Sequence, residues 1–527
     1  MNPLRHRVAA AIAIAAVAVA VAACQRSSNA PPVAAADGAD TLQVLAGSEL
    51  KELEPALVSA ARGAGVDLRL SYAGTLEIVD RANGGEMFDA LLPPNGAYPM
   101  LALAGRPIAR EKLFYSRVAL GVKNSRAHAL GWDSRAPSWA EISEAAAAGR
   151  FSYAMTNPTS SNTGMSALFA VASSSAGKTE DLTLTDIRRD VLTAFLHGQK
   201  LTAGSSGWLA DAYVRDQATL DGLVNYEAVL LRLNDRTELS DKLLVIYPRD
   251  GVISADYPLL LLQDRKRAAY ERFVNVVRAR EFQSGPVAAA YLRPSNPDVP
   301  VAAALSVRPV AELSFPNNLG LIDAVLASYQ GELRRPATSI YLLDVSGSMK
   351  GERLAGLQRA LEYLTGAQGS GTLARLARFQ SRERVILLPF NDRTGGSTRV
   401  EFGAGDDHAA ETAQIHRFSN SLQAEGGTAI FSALEDAYAI ADGERRRDPD
   451  RLVTVVLLTD GENRNGIRFS TLAADLRGRV VPRTFPILFG DAKSDELDRV
   501  AAMSGGRVFD GRSGALTTVF REIRGYQ

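Results

Sequence analysis

Twice along the chain, apolar runs of strand length alternate with helical stretches, and few folds accommodate that pattern. Parallel strands need crossover connections, and helices supply them while covering the sheet faces. The first series opens with Leu42-Gln43-Val44-Leu45-Ala46, a helical stretch ELKELEPALVSAAR, the strand VDLRLSY and the helix LEIVDRAN, and continues through MFDALLPP and RVALGV to about residue 305. The second opens after Pro336 with TSIYLLD and runs through RERVILLPF, TRVEF, RLVTVVLLTD, RTFPILFG and GRVFDG, separated by helical stretches. A chain of 527 residues exceeds what one core holds, and hydrophobic residues at 46% against 22% charged exclude a disordered chain. The reading is α/β throughout: residues 41–305 as one domain, 306–336 as a connecting segment, and 337–527 as a doubly wound domain, with the boundary near Arg335.

Lys plus Arg equals Asp plus Glu at 59 each, so charge gives no reason to expect nucleic acid as partner. One cysteine excludes a disulfide framework and a cysteine-based zinc site. That residue, Cys24, ends a leader with Arg5 and Arg7 ahead of an apolar run too short to span a bilayer. The run closes on Val21-Ala22-Ala23-Cys24, which resembles the lipobox of bacterial lipoproteins. The resemblance implies a signal peptide over 1–23, acylation of Cys24, and a tether over 24–40 that lifts the folded part off a membrane. An ordinary secretory signal with an incidental cysteine is the alternative. Under the lipoprotein resemblance, Gln25 and not an aspartate after the cysteine implies the outer membrane, facing periplasm or exterior.

The sharpest site lies in the second series. Asp344 ends one apolar strand, with Ser346 and Ser348 in the turn beyond it; Asp460 ends another, and Thr428 opens a helix after Glu425-Gly426-Gly427. All three loops belong at the carboxyl edge of one parallel sheet, where open α/β folds bind ligands. Taken alone, Asp-x-Ser-x-Ser reads as a helix-start turn. With Thr428 and Asp460 it becomes an all-oxygen donor set suited to Mg²⁺ or Mn²⁺ and not to zinc. This pattern resembles the metal-ion-dependent adhesion site of the von Willebrand factor A-type domain, with Asp344, Ser346, Ser348, Thr428 and Asp460 in its five positions. The resemblance implies a Rossmann-like fold and a protein partner that presents an acidic residue to the metal. Asn391, Glu462 and Asn463 sit on neighbouring loops and read as solvated loop residues.

In the first series, hydroxyl residues stand at strand-to-helix turns: Gly47-Ser48, Gly74-Thr75 and the loop Asn157–Gly164, with Asn225-Tyr226-Glu227 opening a further helix. These turns resemble the bacterial extracellular solute-binding proteins of the molybdate and sulfate type, in which two α/β lobes close on a ligand. The resemblance implies a two-lobe, periplasmic-binding-protein-like domain and a small-solute site at Ser48, Thr75, Ser161, Asn162, Thr163, Tyr226 and Glu227. Plain N-capping is the other reading of Ser48, Thr75 and Thr163, and Glu227 opposes an anionic solute. YSRVALGV and LLVIYPRDG are expected to cross between lobes.

No nucleophile–base arrangement, P-loop or dinucleotide fingerprint appears, so no catalytic residue is assigned and the chain reads as a binding protein and not an enzyme. Its expected role is an envelope lipoprotein that grips a protein partner through its metal. The alternative is a substrate-binding lipoprotein of an ABC-type importer, with the A-type domain used for docking.

Overall fold

Strand-to-helix alternation resolves into three sheets in a computed structural model that describes residues 40–306, 308–366, 372–405, 407–512 and 516–527. Cys24, the leader and all of the tether except Asp40 lie outside the described residues. Among the described residues no helix is long and apolar enough to cross a membrane.

The first sheet runs Asp67–Ala73, Thr41–Gly47, Ala90–Leu92, Pro258–Leu261 and Ala109–Lys112 from edge to edge. The second is built around the long strand Phe114–Lys123, with Gly222–Tyr226, Tyr153–Thr156 and Gln199–Ala203 in succession on one side. Each sheet with its helices is one lobe of a two-lobe domain. The chain changes sheets twice within a few residues, at Leu113 and at Asp256-Tyr257. The sequence expectation placed the crossings on YSRVALGV and LLVIYPRDG, but these segments form antiparallel partners inside the second lobe, with Leu120 opposite Ile246. Val118, Ala119, Leu120 and Val122 are buried, which a strand at the centre of a sheet satisfies and an interlobe connector cannot. The first helix also differs: it spans Glu54–Gly63 after a short turn at Ser48–Leu50, because Pro55 has no amide to donate and belongs in a helix's first turn.

The C-terminal sheet has six strands in the order Thr398–Glu401, Glu383–Phe390, Ala337–Asp344, Leu452–Thr459, Arg483–Leu488 and Phe509–Asp510, all parallel except the first. The two central strands are near-continuous apolar runs, as burial on both faces demands. The helices Glu352–Leu364, Ala409–Ser421, Ile430–Arg447, Phe469–Asp475, Ser494–Ser504 and Leu516–Arg524 complete the doubly wound domain.

Between the two domains, Leu319–Ser328 forms a helix whose N-cap Asn318 accepts from Leu321 N. The domains pack against one another. Tyr526 meets Trp208 edge-on at 4.8 Å between ring centroids, and Arg521 reaches Asp80 (3.4 Å) and Glu77 (3.5 Å) on the first lobe. Gln330 donates to Thr159 Oγ1 (2.9 Å) on the second. The C-terminal segment therefore touches both lobes.

Candidate functional site

The ends of two adjacent parallel strands fix the first cluster. Leu343 pairs with Leu458, so Asp344 and Thr459 stand side by side, and Thr459 Oγ1 donates to Asp344 Oδ2 at 2.6 Å. Ser346 N donates to Asp344 Oδ1 (2.8 Å), Ser346 Oγ lies 3.1 Å from Ser348 Oγ, and Ser348 Oγ donates to Asp460 Oδ1 (2.7 Å). Four of the five expected residues thus form one hydrogen-bonded chain. The fifth, Thr428, reaches the same edge through backbone bonds: Gly347 N donates to Gly426 O (3.0 Å), and Arg464 N donates to Thr428 O (2.8 Å). Its Oγ1 lies 3.9 Å from the point where Gly461 would carry a Cβ. Asp344, Ser346, Thr428 and Asp460 are buried, whereas Ser348 is exposed and opens the cluster to solvent.

Burial pushes the Asp344 carboxyl above the ordinary aspartate range, and the neighbouring Asp460 charge adds to the shift. Such a carboxylate is relieved by a cation. Among the described residues no three His, Cys, Asp or Glu side chains converge, so any ion here relies on hydroxyl oxygens beside the two carboxylates. That donor set fits a small hard divalent ion, which favours oxygen ligands.

Asp392 and Arg353, both on this edge, escaped the sequence reading. Asp392 accepts from Gly427 N (2.9 Å) and Asn465 Nδ2 (2.6 Å), holding the Thr428 turn in place. Gly426 has φ +79°, and a Cβ there would sit 2.5 Å from an Asp392 oxygen, so the glycine is required twice over. Arg353, on the first turn of the following helix, donates to Asp460 Oδ2 (2.5 Å) and Asp491 Oδ2 (2.6 Å). The one available signal was Arg353's position in the helix directly after the Asp-x-Ser-x-Ser turn. Asn391 and Asn463 are more than solvated loop residues: Asn391 Nδ2 donates to Glu425 O (3.1 Å), and Asn463 Oδ1 accepts from Phe431 N (3.3 Å). Glu462 is exposed and pairs with Lys493.

The second cluster lies between the lobes, and it is shut. Gly74 faces Ser160 so closely that a Cβ would fall 1.9 Å from Ser160 O, pressing the two ligand-type turns together. Thr75 is buried, and its hydroxyl has no partner among the described residues. Ser161 Oγ lies 3.3 Å from Thr163 Oγ1, which lies 2.7 Å from Thr156 Oγ1, and Asn162 Nδ2 donates to Tyr226 OH (3.0 Å). Beneath them, a space of about 10 Å³ among Glu49, Tyr226, Tyr257 and Arg232 is at the lower limit for one water. Ser48 instead borders an outer cleft of about 610 Å³ with Lys51, Trp208, Arg232 and Arg507. Burial pushes the Glu49 carboxyl up to about 7, against the lowering effect of its backbone, Tyr257 and Arg232.

Glu227 does not join this group. It is fully buried, takes both Arg293 Nε (2.6 Å) and Nη2 (2.7 Å), and also accepts from Tyr247 OH and Arg117 N. Its charge is matched inside the second lobe, so the expected ligand role and the expected repulsion of an anion both lapse.

Comparison with known proteins follows this division. Residues 42–284 match the model of the bacterial extracellular solute-binding protein family, and residues 340–522 that of the von Willebrand factor type A domain. An uncharacterised Synechocystis protein is 28% identical over 198 residues, 36% of this chain and 41% of its own length. A von Willebrand factor type A protein from Catenulispora acidiphila aligns with 36% of this chain and 42% of its own, at 20% identity and TM-score 0.29. The periplasmic binding protein AfuA from Actinobacillus pleuropneumoniae aligns over 56% of this chain and 98% of its own, at 11% identity and TM-score 0.44. The chain thus spans less than half the length of the Synechocystis and Catenulispora proteins.

Proposed function

We propose that this chain, a bacterial extracellular solute-binding domain followed by a von Willebrand factor type A domain, grips a protein partner through a divalent cation at its C-terminal sheet edge. Asp344, Ser346, Ser348, Thr428 and Asp460 would hold the ion, Mg²⁺ or Mn²⁺. The ion would supply an electrophilic position for an acidic side chain of the partner. The observation that carries this reading is the hydrogen-bonded chain from Asp344 through Ser346 and Ser348 to Asp460, which gathers two carboxylates and their hydroxyls at one solvent-facing edge.

In this reading Thr75, Ser161, Asn162, Thr163 and Tyr226 line a solute cleft that must open before a ligand enters, since the lobes lie in contact at Gly74 and Ser160, and Ser48 stands on the outer cleft beside it. The match to the solute-binding family supports a location outside the cytoplasm, and a lipid on Cys24 would hold the protein at a membrane. The chemistry is binding, with no catalytic step. The test immobilises the full chain and passes an envelope extract over it. Proteins retained in Mg²⁺, released by EDTA and not retained by Asp344→Ala support the reading; retention indifferent to both overturns it.

A further inference from the structure

We propose that Arg353 is a built-in counter-cation of this metal site and sets how tightly a divalent ion binds there; the proposal rests on the metal reading above. Arg353 stands nine residues after Asp344, as the second residue of the helix Glu352–Leu364. Its guanidinium bridges Asp460 Oδ2 (2.5 Å) and Asp491 Oδ2 (2.6 Å). The Asp460 side chain is 0% exposed, so this is the partner its outer oxygen has in place of water. Its other oxygen, Oδ1, takes the Ser348 hydroxyl at 2.7 Å.

The surrounding loop is shaped to the guanidinium. Gly490 adopts φ +55°, and a Cβ there would lie 2.8 Å from Arg353 Cζ, so the backbone passes where a side chain would collide. Asp344 is treated differently: its two oxygens accept from Ser346 N and Thr459 Oγ1, neutral donors both. One carboxylate of the pair is therefore already neutralised by a charge that stays on at any physiological pH.

Two consequences follow from the charges. An incoming divalent ion meets a site whose negative potential is halved, so it binds less tightly than to two bare carboxylates. Once loaded, Asp344, Asp460, the guanidinium and the ion sum to one positive unit, which the Asp491 carboxylate, 88% exposed and screened by water, offsets only in part, so the site attracts an acidic side chain. Arg353 thus trades ion affinity for capture of an anionic partner group.

The experiment titrates Mg²⁺ into the full chain by calorimetry, comparing parent, Arg353→Gln, Arg353→Lys and Asp491→Asn. Arg353→Gln should bind Mg²⁺ about tenfold more tightly, while Arg353→Lys, which keeps the charge, stays close to the parent. Asp491→Asn, an exposed change that spares folding, removes a negative charge from the guanidinium and should weaken Mg²⁺ about twofold to fivefold. In EDTA, Arg353→Gln should melt below the parent, and Mg²⁺ should raise its melting temperature by more. Equal or weaker Mg²⁺ binding by Arg353→Gln, or unchanged binding by Asp491→Asn, overturns the role of Arg353 and leaves the metal site standing. Absence of Mg²⁺ uptake from the parent and from all three variants overturns the metal reading itself.

Discussion

Replacing Glu383 with glutamine removes a single charge from the point where the connecting segment, the C-terminal helix and the third sheet meet. Glu383 is 3% exposed and takes Arg524 Nη2 on both oxygens (2.7 and 2.8 Å) together with Arg334 Nη2. Arg334 also donates to Gln330 O (3.0 Å) and Gln527 O (2.9 Å), and Arg524 to Ala377 O (3.1 Å). Burial by itself would raise the Glu383 carboxyl, but Arg524 and Arg334 hold it below the usual glutamate range. Glutamine leaves two buried guanidinium groups without their shared counter-charge, a loss of about 3–5 kcal/mol. For a domain of this size that lowers the melting temperature by about 10 °C. Circular dichroism reads this directly, and tryptophan emission adds a second view, since Trp132, Trp139 and Trp208 all lie in the first domain. Trp208 packs on Tyr526, so its emission should change with the C-terminal transition and ahead of lobe unfolding. Because the folded carboxyl is depressed, its contribution is present above the free-glutamate range and is lost as pH falls through the folded value; Glu383→Gln should lack that acid-side loss. Combining Glu383→Met with Arg334→Met and Arg524→Leu should recover most of the stability, since no charge is then left unpaired. A Glu383→Gln protein melting within about 3 °C of the parent would refute the account, because that corresponds to only about 1 kcal/mol.

Glu49 gives a pH dependence of opposite sign. Its carboxyl is pushed up to about 7 in the closed lobes, facing Tyr257, Tyr226, Tyr72 and Arg232, so the stability it allows is complete at acid pH and lost as pH rises through about 7. Glu49→Gln should flatten the dependence of the first domain's melting on pH between 4.5 and about 7, the window between the ordinary glutamate value and the closed-state one; an unchanged slope would show that another group titrates. Cys24→Ser should abolish acyl labelling in cells and release the chain into the soluble envelope fraction, and persistence in the membrane fraction would remove the lipid anchor.

Much of this architecture was legible because burial on both faces of a parallel sheet leaves a plain mark. TSIYLLD and RLVTVVLLTD are central strands, and Asp344 and Asp460 stand at their ends because a charged residue can follow the core only at its edge. Thr428 was legible from the Gly426-Gly427 turn ahead of it. What stayed hidden depends on partners distant in sequence. Glu227 reads as a cleft carboxylate until Arg293, 66 residues later, is seen beside it. Glu383, Arg334 and Arg524 look like ordinary surface charges, yet pair in the interior across as many as 141 residues. Asp392 and Arg353 act on turns their own segments do not contain. The sheet change at Leu113 leaves no local mark either, since the charged strand Ala109–Lys112 and the apolar strand Phe114–Lys123 are joined by one leucine, with no glycine or proline to signal a turn.

The most direct measurement is Mg²⁺ calorimetry on the full chain, parent against Asp344→Ala. Asp344 lies at the end of its strand and accepts from Ser346 N and Thr459 Oγ1, so the substitution removes a carboxylate from the cluster without opening the sheet core. The parent should take up one Mg²⁺ and, at about 100 times its Kd, gain about 2.7 kcal/mol of stability. Asp344→Ala should show no uptake and no gain while unfolding as cooperatively as the metal-free parent. Equal Mg²⁺ uptake by both proteins would contradict the assignment of the ion to this cluster.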